Sequence, residues 1–425
     1  MAPNREADLT IVEGLECGDE GKGKLAHYLS KDKDVAAGGN GGINAGHSVE
    51  CMIDKVMKTF KLSLLPAACL REHPKLVLGR GKMLNLRLLD ELDMVEREAH
   101  THPIDRLYIA PEAHISFMAQ SKADEILEEW RGDGKIGTTG NGIGPGYGNK
   151  SLRIGMRIEE LKKNPVALKD RYLVAQRYAK KMFSIVLASN EEDEEVAKLL
   201  IARSVLGPRV VEDMTKFWAK EIAAKSRILA ECSQGYDLHI DGPRYPNVTS
   251  SQTNAHGQLN GLQIPRAFGN RAKLVGCIKA YNKFVGSGHS RTRMPDDVRA
   301  RIQQVGKERG TITVRWRETN WLDLEKLQGG PMANENPDSI AMMKLDVYDN
   351  EPEIKVAVGS NDDGSPVYVT FPGWMQSTRG IQNFKDLPAK ACDYIDFVER
   401  ALQCPIHFIG TGPSEDDMID RRPKS

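Results

Sequence analysis

The sequence predicts an α/β fold: a largely parallel central sheet flanked by helices, a P-loop-like phosphate loop and helical insertions. Three observations carry this. First, the short apolar run Leu9 to Val12 meets a glycine-rich stretch, Gly14 to Lys24, after which Leu25, Ala26, Tyr28 and Leu29 begin a helical pattern, so the chain opens as strand, loop and helix. Second, short apolar runs recur between stretches of helical periodicity, the alternation of parallel strands with crossover helices. Third, 425 residues with 40% hydrophobic and 28% charged side chains and a mean hydropathy of -0.45 have the composition of a soluble globular protein. Disordered, collagen-like and disulfide-scaffold chains are excluded.

The strands expected after the first are Lys75 to Leu78, Arg106 to Ile109, Arg227 to Ala230, Leu274 to Ile278, Ile354 to Val358 and Ile406 to Ile409, with a helix at Met118 to Trp130 among the stretches between them. Residues 157–222 have helical periodicity and a charged surface and read as a mainly helical insertion. Its acidic run, Glu191 to Glu195, suits a helix start, where carboxylates complement the dipole. Length alone suggests roughly three domains. No repeat, low-complexity tract or Pro-rich linker divides the chain, however, so residues 1–425 are expected to form a single catalytic domain.

Lys plus Arg and Asp plus Glu both number 59, a formal net charge of zero. No global field draws the chain to nucleic acid or to an anionic membrane, and any bound anion must be held by local donors. The seven cysteines are scattered without a C-x-x-C pair and read as reduced thiols. The polar start and the lack of a long apolar run give neither a signal peptide nor a membrane span, so a cytoplasmic location is expected.

Gly18-Asp-Glu-Gly-Lys-Gly-Lys24 fits the first part of a phosphate loop, with Leu25 where a Ser or Thr would hold magnesium. Glycines let backbone N–H groups converge on phosphate oxygens at a helix N-terminus, and lysine neutralises the remaining charge. The bland alternative is a glycine-rich turn with solvated lysines. Asp19 beside such a site has two natural tasks, coordinating magnesium or removing a proton from a substrate nitrogen or oxygen. Two more clusters, Gly38 to His47 and Gly137 to Pro145, are too glycine-dense for element interiors and read as tight loops that approach something closely. His47 is a candidate acid or phosphate contact. Thr138 and Thr139 offer hydroxyls and backbone donors to a phosphomonoester, or simply close a hydrogen-bonded turn.

These residues resemble the adenylosuccinate synthetase family, which makes adenylosuccinate from IMP, aspartate and GTP. The resemblance runs nearly the whole chain in the family's order: G-D-E-G-K-G-K (18–24), N-A-G-H (44–47), K-I-G-T-T-G-x-G-I-G-P (135–145), S-Q-G (233–235), D-x-x-x-Y-P-x-V-T-S-S (241–251), W-L-D (321–323) and K-L-D-V (344–347).

The resemblance implies a role for each matching residue. Asp19 would take the N1 proton of the purine and touch Mg2+, to which Gly46 would offer its backbone oxygen. Lys22 and His47 would stabilise the γ-phosphoryl group as it moves to O6, and aspartate would then displace phosphate at C6. Asn44, Thr138, Thr139 and Thr249 would hold the nucleotide 5′-phosphate, with Gln234 at the base and Val285 at the ribose. Arg153 aligns with an arginine lent across a homodimer interface. Thr313, Arg315 and Arg317 fall where the amino acid's carboxylates bind, with Arg315 also near the purine nucleotide and Arg317 near GTP; guanidinium forks suit that task. GTP would lie on Gly18, Glu20, Gly21, Lys22, Gly23 and Lys24, with Lys344 and Asp346 reading guanine and Gly410 and Gly412 nearby.

The chain departs from the family pattern at several points: Glu16-Cys17 for Gln-Trp, His289 to Met294 for G-P-F-P-T-E, Thr313 to Glu318 for T-G-R-x-R-R, Gly410 for a serine, and Met343 where Thr or Asn is common. These changes surround the purine, amino-acid and donor-base regions, while the reaction residues persist. IMP-dependent ligation with GTP is therefore the first reading. A relative of viral enzymes that uses GMP or dGMP, with ATP as a possible donor, is the second. A catalytically silent nucleotide-binding regulator is the third, disfavoured because Asp19, Lys22 and His47 are retained together.

Overall fold

A computed structural model describes residues 7–284, 290–309 and 316–423. The expected sheet is present with nine strands: β1 (Asp8–Gly14), β2 (Val35–Gly38), β3 (Lys75–Leu78), β4 (Leu107–Ile109), β5 (Arg227–Glu231), β6 (Lys273–Lys279), β7 (Ser339–Met343), β8 (Ile406–Gly410) and β9 (Met418–Asp420). Their order across the sheet is β9-β8-β7-β6-β1-β5-β2-β3-β4. Every pairing is parallel except that of β9, which runs back against β8.

Alternating side chains pack opposite faces of this sheet. Val12, Leu76, Leu78, Leu229 and Phe408 join one core cluster, together with Leu25 of the first helix, α1 (Lys22–Leu29). Ile11, Val35, Val77 and Ile228 join another with Trp218. Burial on both faces also explains which strands are hard to read from sequence. Val35-Ala-Ala-Gly38 and Ser339-Ile-Ala-Met-Met343 are buried at every position, so neither shows alternation, and both are poor in β-branched residues.

The helix at Met118–Trp130 and the strand Lys75–Leu78 have the expected bounds. Glu353–Ser360 is a strand, as expected, but it stands outside the central sheet. It pairs parallel with Leu322–Asp323 and antiparallel with Pro366–Pro372 in a separate three-stranded sheet. Helix α1 begins at Lys22, one turn before the apolar pattern, because Gly21 provides a left-handed cap and Gly23 lets the first turn pack closely on His47.

Residues 157–222 contain helices Pro165–Met182, Ser189–Val205 and Met214–Ala223. Asn164 and Asp213 cap the first and third through side-chain oxygens. In the acidic run, Glu191 accepts the Ala188 backbone N–H at 2.9 Å, and Glu195 accepts from Tyr172 and from the Met118 backbone N–H at 2.8 and 2.7 Å. That run therefore ties the helical segment to Met118–Trp130 as well as starting a helix. Among the described residues no helix is long and apolar enough to cross a membrane, and all seven cysteines are unpaired.

Candidate active site

The parallel strands end along one edge of the sheet, where open α/β sheets bind ligands. The first loop leaves β1 there and turns through left-handed backbone at Gly18, Asp19 and Gly21, with φ of 89°, 59° and 84°. Inside the loop Glu20 accepts the Gly18 backbone N–H at 2.6 Å and the Lys22 ammonium at 2.5 Å, both side chains being buried. Gly23 is required by close approach: a Cβ there would lie 2.8 Å from Cβ of His47. The start of α1 and His47 thus share one wall.

His47 begins the strand His47–Ile53. Its Nδ1 rests against the carboxylate of Glu231, which also accepts the Ala67 backbone N–H at 2.8 Å. This leaves Nε2 buried and without a protein partner. The loop from Gly38 to His47 is laced to Ser233: the Ser233 N–H donates to Asn40 Oδ1 at 3.0 Å and the Ser233 hydroxyl to the Asn40 carbonyl at 3.1 Å. Gln234, at φ 58°, has both amide atoms buried and unpartnered. Asn44 Nδ2 donates to the Thr249 hydroxyl at 3.0 Å, and its Oδ1 is also unpartnered. Buried polar atoms are normally satisfied, so this cluster of orphaned donors and acceptors is the mark of a ligand site.

Asp19 Oδ2 meets Nζ of Lys283, which follows β6 in the short strand Asn282–Phe284 and is buried. Burial draws the Lys283 ammonium down to about 7. Lys283 is a site residue that sequence reading missed, as is Glu231. For Glu231 the available signal was a charged side chain at the end of an apolar strand, Ile228-Leu-Ala-Glu231; Lys283, past the end of β6, has no such signal.

Several expected contacts are made differently. Lys24 turns from the loop and donates to the carbonyls of Gly412 and Asp417 at 2.7 and 2.6 Å, and burial lowers it to about 8. It thereby stitches the first loop to the segment expected to hold the donor. Met343 bridges the same gap: hypothetical Cβ atoms on Gly21 and Gly410 would lie 3.2 and 3.1 Å from its side chain. The two departures at 343 and 410 are therefore complementary, the larger side chain occupying the space a serine would need. Asp346 is close enough to support the charge of Lys24; burial, then Asp349, raises its own carboxyl. Lys344 donates to the Gly306 carbonyl and Glu308 at 2.6 and 2.5 Å. The Arg317 backbone N–H donates to the Glu308 carbonyl at 2.8 Å.

The backbone N–H groups of Ile136, Gly137 and Thr138 are held by Glu128, at 3.3, 2.7 and 3.3 Å, and Asp124 accepts from Thr138 and from the Gly142 N–H. Two carboxylates of the Met118–Trp130 helix thus occupy donors expected on a phosphate. The helix that follows, Ile143–Ser151, does reach the Gly38 to His47 loop, since the Tyr147 hydroxyl lies 3.3 Å from the Gly41 carbonyl and 2.6 Å from that of Gly81. Arg153 lines an open cavity of about 710 Å³ with Arg171, Val174, Arg177, Tyr178 and Met182, none of them a predicted site residue. Val285, Thr313 and Arg315 lie outside the described residues.

No group of three or more His, Cys, Asp or Glu side chains able to hold a metal occurs among the described residues. Magnesium is instead commonly held by one or two carboxylates together with phosphate oxygens and water. The hard oxygens of Asp19, with the Gly46 carbonyl in the adjoining loop, fit that pattern.

A family model described as adenylosuccinate synthetase matches residues 11–419. This chain belongs to the adenylosuccinate synthetase family. Adenylosuccinate synthetase 1 of Laccaria bicolor is 37% identical over 98% of this chain and 99% of its own length. The adenylosuccinate synthetase of Komagataella phaffii is 35% identical over 97% and 99%. The fully ligated adenylosuccinate synthetase from Plasmodium falciparum superposes with a TM-score of 0.90 at 31% identity, covering 98% of this chain and all of that one. The succinoaminodeoxyadenylate synthetase of cyanophage S-2L, bound to dGMP and dATP, has a TM-score of 0.61 at 17% identity over 99% of this chain and 97% of that one, which shows a shared fold. The family is one of ligases that form a C–N bond, and the adenylosuccinate-forming reading stands ahead of the viral-type alternative.

Proposed function

We propose that residues 1–425 act as one catalytic unit that joins L-aspartate to C6 of IMP, with GTP converted to GDP and phosphate through a 6-phosphoryl purine. The single observation that carries this is the convergence of orphaned polar atoms, His47 Nε2, the Gln234 amide and Asn44 Oδ1, beside the first loop. They lie on the loops expected to hold an acceptor base and a phosphoryl group.

The geometry supports a division of labour. Asp19, turned outward by its left-handed backbone, takes the proton from N1 as O6 becomes nucleophilic. His47, its ring fixed by Glu231, presents Nε2 to the γ-phosphoryl oxygens. Lys22 supplies positive charge beneath the loop. Bound Mg2+, held by Asp19 and the Gly46 carbonyl, supplies charge neutralisation on the donor phosphates. Gln234 orients the base, and Asn44 with Thr249 holds the 5′-phosphate. Thr138 and Thr139 join them once a phosphate replaces Glu128 and Asp124 on the loop. Thr313, Arg315 and Arg317 receive aspartate, and Asp346 with Lys344 reads the guanine edge. Phosphoryl transfer converts a poor leaving oxygen into a good one, and aligned charge does most of the catalysis.

We also assign a homodimer in which Arg153 of one subunit serves the other's phosphate, and a cytoplasmic location. The test is phosphate release and product mass with IMP, GMP or dGMP, each with aspartate and with GTP or ATP. IMP with GTP is expected to be the best pair by at least tenfold. A preference for dGMP with ATP selects the viral-type reading, and no turnover with any pair overturns the ligase assignment.

A further inference from the structure

We propose that Lys283 is a positioning residue for the phosphoryl-transfer step: a buried ammonium that orients the Asp19 carboxylate and brings surplus positive charge to the reacting end of the first loop. This rests on the ligase reading above. Lys283 is about 2% exposed and its Nζ meets Asp19 Oδ2. Its strand pairs antiparallel with Glu318–Asn320, so the lysine stem is held by the sheet rather than by solvent.

The charge count behind it is unusual. Glu308, also buried, accepts on Oε1 from Lys279 at 2.7 Å, Lys344 at 2.5 Å and the Tyr281 hydroxyl at 2.5 Å, while its Oε2 lies 3.9 Å from Lys283. One carboxylate therefore serves three ammonium groups, Lys283 is also paired with Asp19, and Glu16 accepts the Lys279 backbone N–H at 3.5 Å. A buried charge is costly unless it is paired. The paired side chains are formally three ammonium groups against two carboxylates, and this imbalance lies at the wall of the site, beside the loop where an anionic phosphoryl group passes. Preorganised charge of that kind lowers a barrier because no reorganisation is needed as the reaction proceeds. Asp19 also holds left-handed backbone, which aims its carboxylate at Lys283.

The experiment compares wild type, Lys283→Met and Lys283→Arg. It measures turnover with IMP, aspartate and GTP, positional isotope exchange within GTP in the presence of IMP without aspartate, and Tm. The exchange isolates phosphoryl transfer from the later C–N step. Lys283→Met should lose both turnover and exchange by at least 100-fold, with KM for aspartate within threefold of wild type. Lys283→Arg, which keeps the charge, should recover at least tenfold over the Met variant. Exchange within threefold of wild type in a folded Lys283→Met protein overturns the proposal, as does a change confined to the aspartate KM. If the Met variant fails to fold, a folded Lys283→Arg protein without exchange overturns it equally. An inactive wild type overturns the ligase reading itself, a result distinct from an active wild type indifferent to residue 283.

Discussion

The imidazole of His47 rests on the carboxylate of Glu231, and its other nitrogen, Nε2, faces the site with no protein partner. The two residues come from different elements: His47 opens a two-stranded hairpin separate from the central sheet, and Glu231 ends β5. Glu231 is itself pinned by the Ala67 backbone N–H at 2.8 Å. Glu231→Gln keeps a hydrogen-bond partner but removes the charge opposite the ring, and should lower kcat by about 10–100-fold with little change in KM for IMP. Steady-state kinetics check this; an unchanged kcat would remove Glu231 from the mechanism.

Asp19→Ala removes the carboxylate that takes the N1 proton and contributes to magnesium placement. Turnover should fall by several orders of magnitude while circular dichroism and Tm remain those of a folded protein. Activity within about tenfold of wild type rejects the role.

Donor choice tests the segment after β7. Asp346→Asn should narrow the preference for GTP over ATP by roughly 1–3 kcal/mol, because an acceptor for the guanine edge is lost. Competition between the two nucleotides measures it directly, and equal use of both by wild type counts against the assignment.

A shared active site makes a prediction that no single-chain site makes. Arg153→Leu and Asp19→Ala subunits should each be nearly inactive alone. Mixed with free exchange, they should recover about one quarter of wild-type activity, since half of the dimers are hybrid and each hybrid has one competent site. No recovery after demonstrated exchange shows that Arg153 does not act in trans.

Glu16 supplies a pH test away from the reacting atoms. Burial, then the charge of Glu20, raises its carboxyl from 4.5 to about 8, and its Oε1 has no partner. The folded state therefore holds a proton that the unfolded chain releases near its ordinary carboxylate pKa. This stabilisation is complete below about 4.5 and is lost as pH rises through about 8. Between those values its contribution falls by up to ~1.4 kcal/mol per pH unit. Tm of wild type should accordingly fall between pH 6 and 9 more steeply than Tm of Glu16→Gln, which carries no ionisable group there. Parallel curves would contradict the assignment.

Much of the fold and part of the site could be read along the chain because they depend on neighbours in sequence. Glycines at 18 and 21 permit the left-handed turns of the first loop, helical periodicity sets Met118–Trp130, and the acidic run at 191–195 falls in the first turns of a helix. The ordered motifs named the family, and with it Asp19, His47, Asn44, Gln234 and Thr249, which meet along one edge of the sheet. What the tertiary structure alone decided is the direction and partnership of charged side chains. Lys24 faces Gly412 and Asp417 rather than the loop, Glu128 fills the Ile136–Thr138 donors, and Asp19 meets Lys283 across a separation of 264 residues. The physical reason is that turns and periodicity are set by local backbone energetics. The partner of a buried charge is set by which strands lie side by side: β1, which leads into Asp19 and Lys24, lies beside β6, which leads to Lys283, and β7 separates β6 from β8, which leads to Gly412. β7 is buried at every position and carries no alternating pattern to announce it.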